Sequence, residues 1–228
     1  MSDFEKARAL AAATVVDPRH SMPVDHKIYP LDAIWVLYDQ ILRVTPETVD
    51  AVNRDRFLMS KGHIPAAYYA VLAAKGFIPK DWLADVGSAQ SALGAHPDST
   101  RVPGVEISSG SLGHGLPLAV GQVLGLRAQG LSSPDVYVLV GDAELDEGSN
   151  HEAIAFAGAA GLDQLVAVVV DNRSATYRHP HGMTAQFEAN GWTSATVESS
   201  DHEALAEAFR ARQPGRPHVV VATTPQGE

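Results

Sequence analysis

The sequence predicts one α/β domain, a mainly parallel β-sheet flanked by helices. Val136–Val140 and Leu165–Val170 are short runs in which every residue is apolar, the pattern of strands buried on both faces. Helical stretches alternate with strands through the second half, as right-handed βαβ units require. Of the 228 residues, 45% are hydrophobic and 19% charged, an ordinary globular balance with material for a core. No repeat, low-complexity tract or linker divides the chain, so 1–228 reads as a single domain.

The elements follow in order. Phe4 to Thr14 is Ala-rich, and Asp3 and Glu5 lie at the head of its apolar stretch, which suits an amphipathic helix and not a signal peptide. Residues 15–30 hold three prolines and two histidines and form no regular element. Leu31 to Leu42 sets Ile34, Leu37, Tyr38 and Ile41 at helical spacing. A further helix runs from Pro65 to Lys75 and ends at Gly76. Residues 86–110, rich in Gly, Ser and Pro, form a long loop of the kind that often carries function. Leu116 to Leu126 is a helix of small residues. The first strand ends at Gly141-Asp142, residues 149–160 are helical, and the second strand ends at Asp171-Asn172. Ser194–Val197 is a weaker strand, residues 202–212 a helix, and Val219–Val221 the last strand.

Charge and composition exclude several classes. Seventeen Lys and Arg against 27 Asp and Glu leave a net charge of −10, which disfavours nucleic acid and anionic membranes as partners. With no cysteine, a disulfide framework, a thiolate metal site and a cysteine nucleophile are all excluded. No run approaches the roughly 18 apolar residues that span a bilayer. The expectation is a soluble, cytoplasmic, acidic protein.

In open parallel sheets, ligands bind beyond the carboxyl ends of the strands. Asp142 and Asn172 each follow a strand and lie thirty positions apart, about one βαβ unit. If those strands are neighbours, two oxygen side chains meet at one sheet edge. A hard cation such as Mg²⁺ takes a few protein oxygens and completes its shell with phosphate and water. Gly141 and Ala143 leave room for a phosphate to approach, and a following helix N-terminus favours its charge. Gly-Asp and Asp-Asn are also ordinary turn residues. The third segment, Gly104 to Gly115, is studded with glycine and serine. It is neither a P-loop nor a GxGxxG turn, and its glycines suit close packing as well as ligand approach.

Five ordered motifs, Ser60-Lys61-Gly62-His63, Gly94-Ala95-His96-Pro97-Asp98, GVEISSGSLGHG, GDAELDEGSNHEA and VDN, together resemble the N-terminal part of transketolases. The resemblance covers roughly residues 4–223 and is nearest to the short subunit of two-chain bacterial transketolases. It implies a thiamine diphosphate-binding fold that holds the cofactor's diphosphate through Mg²⁺, or another divalent cation such as Ca²⁺ or Mn²⁺. By position it implies Asp142, Asn172 and the Ser174 carbonyl as metal ligands. It likewise implies that Gly110, Leu112, Gly141 and Ala143 lie against the cofactor, Ala143 standing where the family usually has glycine. His63 and His96 match histidines at the thiazolium and the sugar channel. Glu147 and Glu152 match acidic residues that link paired active sites across a subunit interface, although both also suit the positive end of a helix dipole.

The activity implied is transfer of a two-carbon ketol unit from a ketose to an aldose. The cofactor supplies the electron sink and the protein supplies positioning, charge and proton shuttles; imidazoles suit such shuttling near neutral pH. The pyrimidine-binding domain and its carboxylate are expected on a partner chain, in an α2β2 heterotetramer, so that this chain alone is inactive. Two segments depart from the pattern. The N-terminal Gly-His-Pro-Gly stretch is replaced by residues 15–30, where His20 or His26 substitutes for its histidine or is a solvated loop residue. The segment after Asn172 is more polar than usual, and the chain stops at Pro225-Gln226-Gly227-Glu228, where the family continues. His114 either bonds the cofactor or caps a turn. The alternatives are the α subunit of a 2-oxo acid dehydrogenase and a non-catalytic scaffold; the SKGH and HPD segments favour the sugar-transferring branch.

Overall fold

The computed structural model describes residues 1–14, 28–175 and 181–224. His20, His26, the polar stretch 176–180 and the terminal tetrapeptide lie outside the described residues. Five parallel strands form the sheet: β1 (Arg56–Met59), β2 (Val136–Gly141), β3 (Leu165–Asp171), β4 (Thr193–Glu198) and β5 (His218–Thr223), in the order β1-β2-β3-β5-β4. Helices α1 (Asp3–Ala13), α2 (Leu31–Val36), α3 (Pro65–Ala74), α4 (Gly115–Ala128), α5 (Gly148–Ala159), α6 (Met183–Ala189) and α7 (His202–Arg210) connect and cover it.

The apolar strands alternate between two cores because successive side chains point to opposite faces. Tyr137, Leu139, Val166, Val168 and Val220 pack with α1, α2, α3 and α7. Val138, Val140, Ala167, Val169 and Val221 pack with α4, α5 and α6. Every residue of β2 is buried, so the continuous apolar runs do mark strands with no solvent face. Ser2 caps α1 by accepting the Glu5 N–H, and the Glu5 carboxylate accepts the Ser2 N–H at 2.6 Å, a capping box.

The structure differs from the sequence reading at several places. The helix expected over 31–42 is α-helical only to Val36 and continues as a π-turn at Leu37–Ile41, so its hydrogen bonds shift from i−4 to i−5. Strand β1 and helix α6 went unread. Arg56-Phe57-Leu58-Met59 is four residues long and lacks β-branched side chains, the strongest local strand signal. A 3-10 segment, Lys80–Asp85, precedes the long loop. Another, Ala143–Asp146, separates β2 from α5, and α5 starts at Gly148, one residue before the 149 expected.

Candidate active site at the carboxyl ends of β1, β2 and β3

The parallel register brings the tips of the three strands to one edge. β2 pairs with β3 from Val136↔Leu165 to Gly141↔Val170, and the Asp142 N–H donates to the Val170 carbonyl at 3.2 Å. Asp142 and Asn172 thus leave adjacent strands at the same edge. Asp142 is buried, 1% exposed. Its two oxygens accept the Ser174 hydroxyl at 2.7 Å and the Ala175 N–H at 2.9 Å, which folds residues 172–175 back over the β2 tip. Arg173 takes φ 59° and donates its N–H to Asp171 Oδ1 at 2.9 Å, a local bond that supports a left-handed residue other than glycine.

Asn172 Oδ1 is buried and has no hydrogen-bond partner among the described residues. An orphaned buried oxygen costs about 1–3 kcal/mol; on the strand tip next to that of Asp142 it suits a hard cation. No group of three or more His, Cys, Asp or Glu that could hold a metal occurs among the described residues. A cation here would have one carboxylate, one amide and a carbonyl, and would need ligand oxygens to complete its shell. The residues fit a divalent ion that arrives with a diphosphate.

Two further residues shape this edge. Lys61, just past the end of β1, is 3% exposed, and its Nζ lies 3.9 Å from Asp142 Oδ1 and 5.2 Å from the centre of the Tyr29 ring. Burial pushes the Lys61 ammonium below its ordinary range, while Asp142 and Glu144 pull it back up. A Cβ at Gly141 would lie 2.5 Å from that Nζ, so the space glycine opens at 141 is filled by lysine. Glu144, 1% exposed, accepts the Ser60 hydroxyl, the Gly113 N–H at 2.9 Å and the Gly141 N–H at 3.1 Å. Burial raises its carboxyl and those donors oppose the rise.

The glycine loop lies against this frame. Gly113 has φ +82° and a Cβ there would fall 2.6 Å from Glu147 Cβ, while Gly115 abuts Ser60. The Ser109 N–H donates to the Pro97 carbonyl at 3.1 Å. That contact sets His96 against Gly110, where a Cβ would sit 3.3 Å from the imidazole Cδ2. His63 reaches solvent at this edge, yet it titrates below the ordinary imidazole range, first through partial burial, then through the charge of Lys61 and of His96. Leu112 is half-buried in the loop and Ala143 half-buried after Asp142. Glu147 leads into α5 and Glu152 follows one turn later, both exposed. His114 is exposed at the start of α4 with no side-chain capping bond.

The structure therefore gathers His63, His96, Gly110, Asp142, Asn172 and Ser174 at one sheet edge. Sequence reasoning gave no role to Ser60, Lys61 or Glu144. Ser60 and Lys61 sat inside a quoted motif, whereas Glu144 is one of three acidic residues in a five-residue stretch, with no local mark of which is buried. Two cavities of about 430 and 370 Å³ lie elsewhere, around Arg43, Tyr137 and Arg212, and around Arg54, Thr100 and Glu106; neither is lined by these residues.

Residues 4–228 match the family described as transketolase, thiamine diphosphate binding domain. A Rhodococcoides fascians protein named ferredoxin fas2 is 50% identical over 220 residues, 96% of this chain and 71% of the relative. With no cysteine, this chain has no thiolate for an iron–sulfur cluster. An Actinobacillus succinogenes protein, named as one of the subunits of apulose-4-phosphate transketolase, is 34% identical, covering 98% of this chain and 84% of that protein. A solved transketolase from Leishmania mexicana superposes with TM-score 0.82 at 28% identity, and this chain, 98% covered, spans 36% of its length. The chain belongs to the transketolase family, as its thiamine diphosphate-binding domain.

Proposed function

We propose that this chain is the cofactor-gripping subunit of a two-chain transketolase. Asp142, Asn172 and the Ser174 carbonyl would hold Mg²⁺, and Gly110, Leu112 and Ala143 would lie against the diphosphate, the space at Gly141 being taken by Lys61. Thiamine diphosphate, when bound, supplies the nucleophilic carbon and electron sink for moving a two-carbon ketol unit between sugars. The chain's own residues do the rest. Lys61 offsets part of the buried carboxylate charge, and the glycine loop shapes the cofactor-facing wall. His63, held neutral near pH 7, and His96 exchange protons with the hydroxyls of a small sugar or sugar phosphate through their ring nitrogens. The observation that carries this reading is the buried Asn172 Oδ1, which has no partner among the described residues, on the strand tip next to that of Asp142.

A partner completes the site. The apulose-4-phosphate relative is named as one chain of a multi-chain enzyme, and helices α4 and α5 expose large apolar side chains. Leu118 and Leu124 on α4 and Phe156 on α5 are 48%, 40% and 50% exposed. Gly121 and Gly125, also on α4, have nothing within 4 Å of a Cβ position, which lets another backbone approach closely. That face flanks Glu147 and Glu152 and docks the partner assembly, an α2β2 heterotetramer with a pyrimidine-binding domain on the second chain. The test is calorimetry of thiamine diphosphate with Mg²⁺ on the co-purified pair, followed by a ketol-transfer assay. Cofactor binding with transfer between sugars is expected. Absence of cofactor binding would leave a scaffold role, and turnover of pyruvate without ketoses would place the chain with 2-oxo acid dehydrogenases.

A further inference from the structure

Three stretches far apart in sequence converge on one buried carboxylate. Glu144 takes the Ser60 hydroxyl from the tip of β1, the Gly141 N–H from the tip of β2 and the Gly113 N–H from the glycine loop. The Ser60 oxygen in turn accepts the N–H of Gly115, the first residue of α4, at 3.0 Å. Gly113 is held at its other end as well, because its carbonyl accepts the Ser149 hydroxyl at 2.6 Å. Glu144 itself is fixed through its backbone carbonyl, which accepts Asn150 Nδ2 at 2.6 Å. All three partners of the carboxylate are donors.

We propose that Glu144 is the positioning residue of the cofactor site: its carboxylate clasps the glycine loop to the β1 and β2 tips and so sets the loop's distance from the metal ligand Asp142. The inference rests on the thiamine diphosphate reading of that edge, but it concerns a residue outside the metal and cofactor contacts. The chemistry requires a carboxylate. Two acceptor oxygens serve three donors, whereas a glutamine of the same shape offers one oxygen and turns an NH₂ toward a backbone N–H or a hydroxyl. The loop cannot re-seat itself by moving inward, because Gly113 already abuts Glu147 and Ser149, and Gly115 abuts Ser60. It can only lift away.

The test compares Glu144→Gln and Ser60→Ala with wild type, first in the full chain without cofactor. Amide exchange at Gly113 and Gly115 should speed up about tenfold or more in Glu144→Gln while β3 amides keep their protection. In Ser60→Ala the acceleration should fall on Gly115 above Gly113. With the partner chain, Glu144→Gln should weaken thiamine diphosphate binding about tenfold, the loss of one charge-assisted bond, with kcat at saturating cofactor within about twofold. Wild-type exchange rates at both glycines together with wild-type cofactor affinity would overturn the clasp and leave the cofactor site standing. If wild type binds no cofactor, the site reading falls, while the exchange rates still decide the clasp. If Glu144→Gln does not fold, Ser60→Ala decides: unchanged Gly115 exchange overturns the proposal.

Discussion

Asp142 accepts the Ser174 hydroxyl at 2.7 Å across the gap between two neighbouring parallel strands. That bond, with the Ala175 N–H on the other oxygen, means the carboxylate organises the loop after β3 before any cation arrives. On the proposed reading the same residue also holds the cation, and the two roles have separate readouts.

Asp142→Ala should abolish binding of thiamine diphosphate with Mg²⁺ in the assembled enzyme, by about a hundredfold or more, because the charged ligand is gone. It should also loosen residues 172–175 without cofactor, since Ser174 and Ala175 lose their acceptors. Calorimetry reads the first effect and amide exchange the second; retained affinity would refute the metal assignment.

Asn172→Ala separates function from stability. The buried oxygen it removes has no partner among the described residues, so stability should stay level or rise by up to about 1 kcal/mol. Cofactor affinity should fall about tenfold or more. Urea unfolding of the free chain and calorimetry of the complex give the two numbers, and a large stability loss would mean the oxygen is already satisfied.

Glycines of the loop and of the α4 surface should respond with opposite signs. Gly113→Ala forces a side chain into Glu147 at φ +82°, so it should cost about 2 kcal/mol or more and disrupt the loop. Gly121→Ala adds a methyl to open helix surface and should stabilise the isolated chain by about 0.5–1 kcal/mol. If the α4 face docks a partner, Gly121→Ala should nonetheless weaken assembly, as measured by sedimentation.

His218 supplies a pH dependence. It is buried, with Thr193 Oγ1 2.7 Å from Nδ1 and the Ala208 carbonyl 3.0 Å from Nε2. Burial foremost, with Arg212 adding like charge, holds its folded value below the ordinary 6.5. Between that lowered value and 6.5 the unfolded chain binds the extra proton, so stability falls as pH drops through this window and is level above it. Urea titrations from pH 5 to 8 should show that slope. His218→Phe should flatten it in part, since His63 is lowered in the same direction.

Much of this fold was legible. The apolar runs at β2 and β3 announced strands without a solvent face, and the spacing of Asp142 and Asn172 announced one βαβ unit between them. Gly76 marks the end of α3 at φ +83°, as a glycine at a helix C-terminus should. These signals are local: side-chain type and period alone carry them. β1 was not legible, because its four residues owe their extended form to pairing with β2 and not to propensity. Nor was the π-turn at Leu37–Ile41, which changes backbone bonding without changing the hydrophobic spacing.

The sequence by itself determined the sheet class, the strands buried on both faces and the placing of Asp142 and Asn172 at strand ends. Only the tertiary structure decided that Glu144, and neither Asp146 nor Glu147, turns inward, and that Lys61 fills the space beside Gly141. Those choices depend on donors contributed by residues 60, 113 and 141. A buried charge is stable only where such partners converge, and convergence across 84 residues of chain leaves no trace in the local pattern.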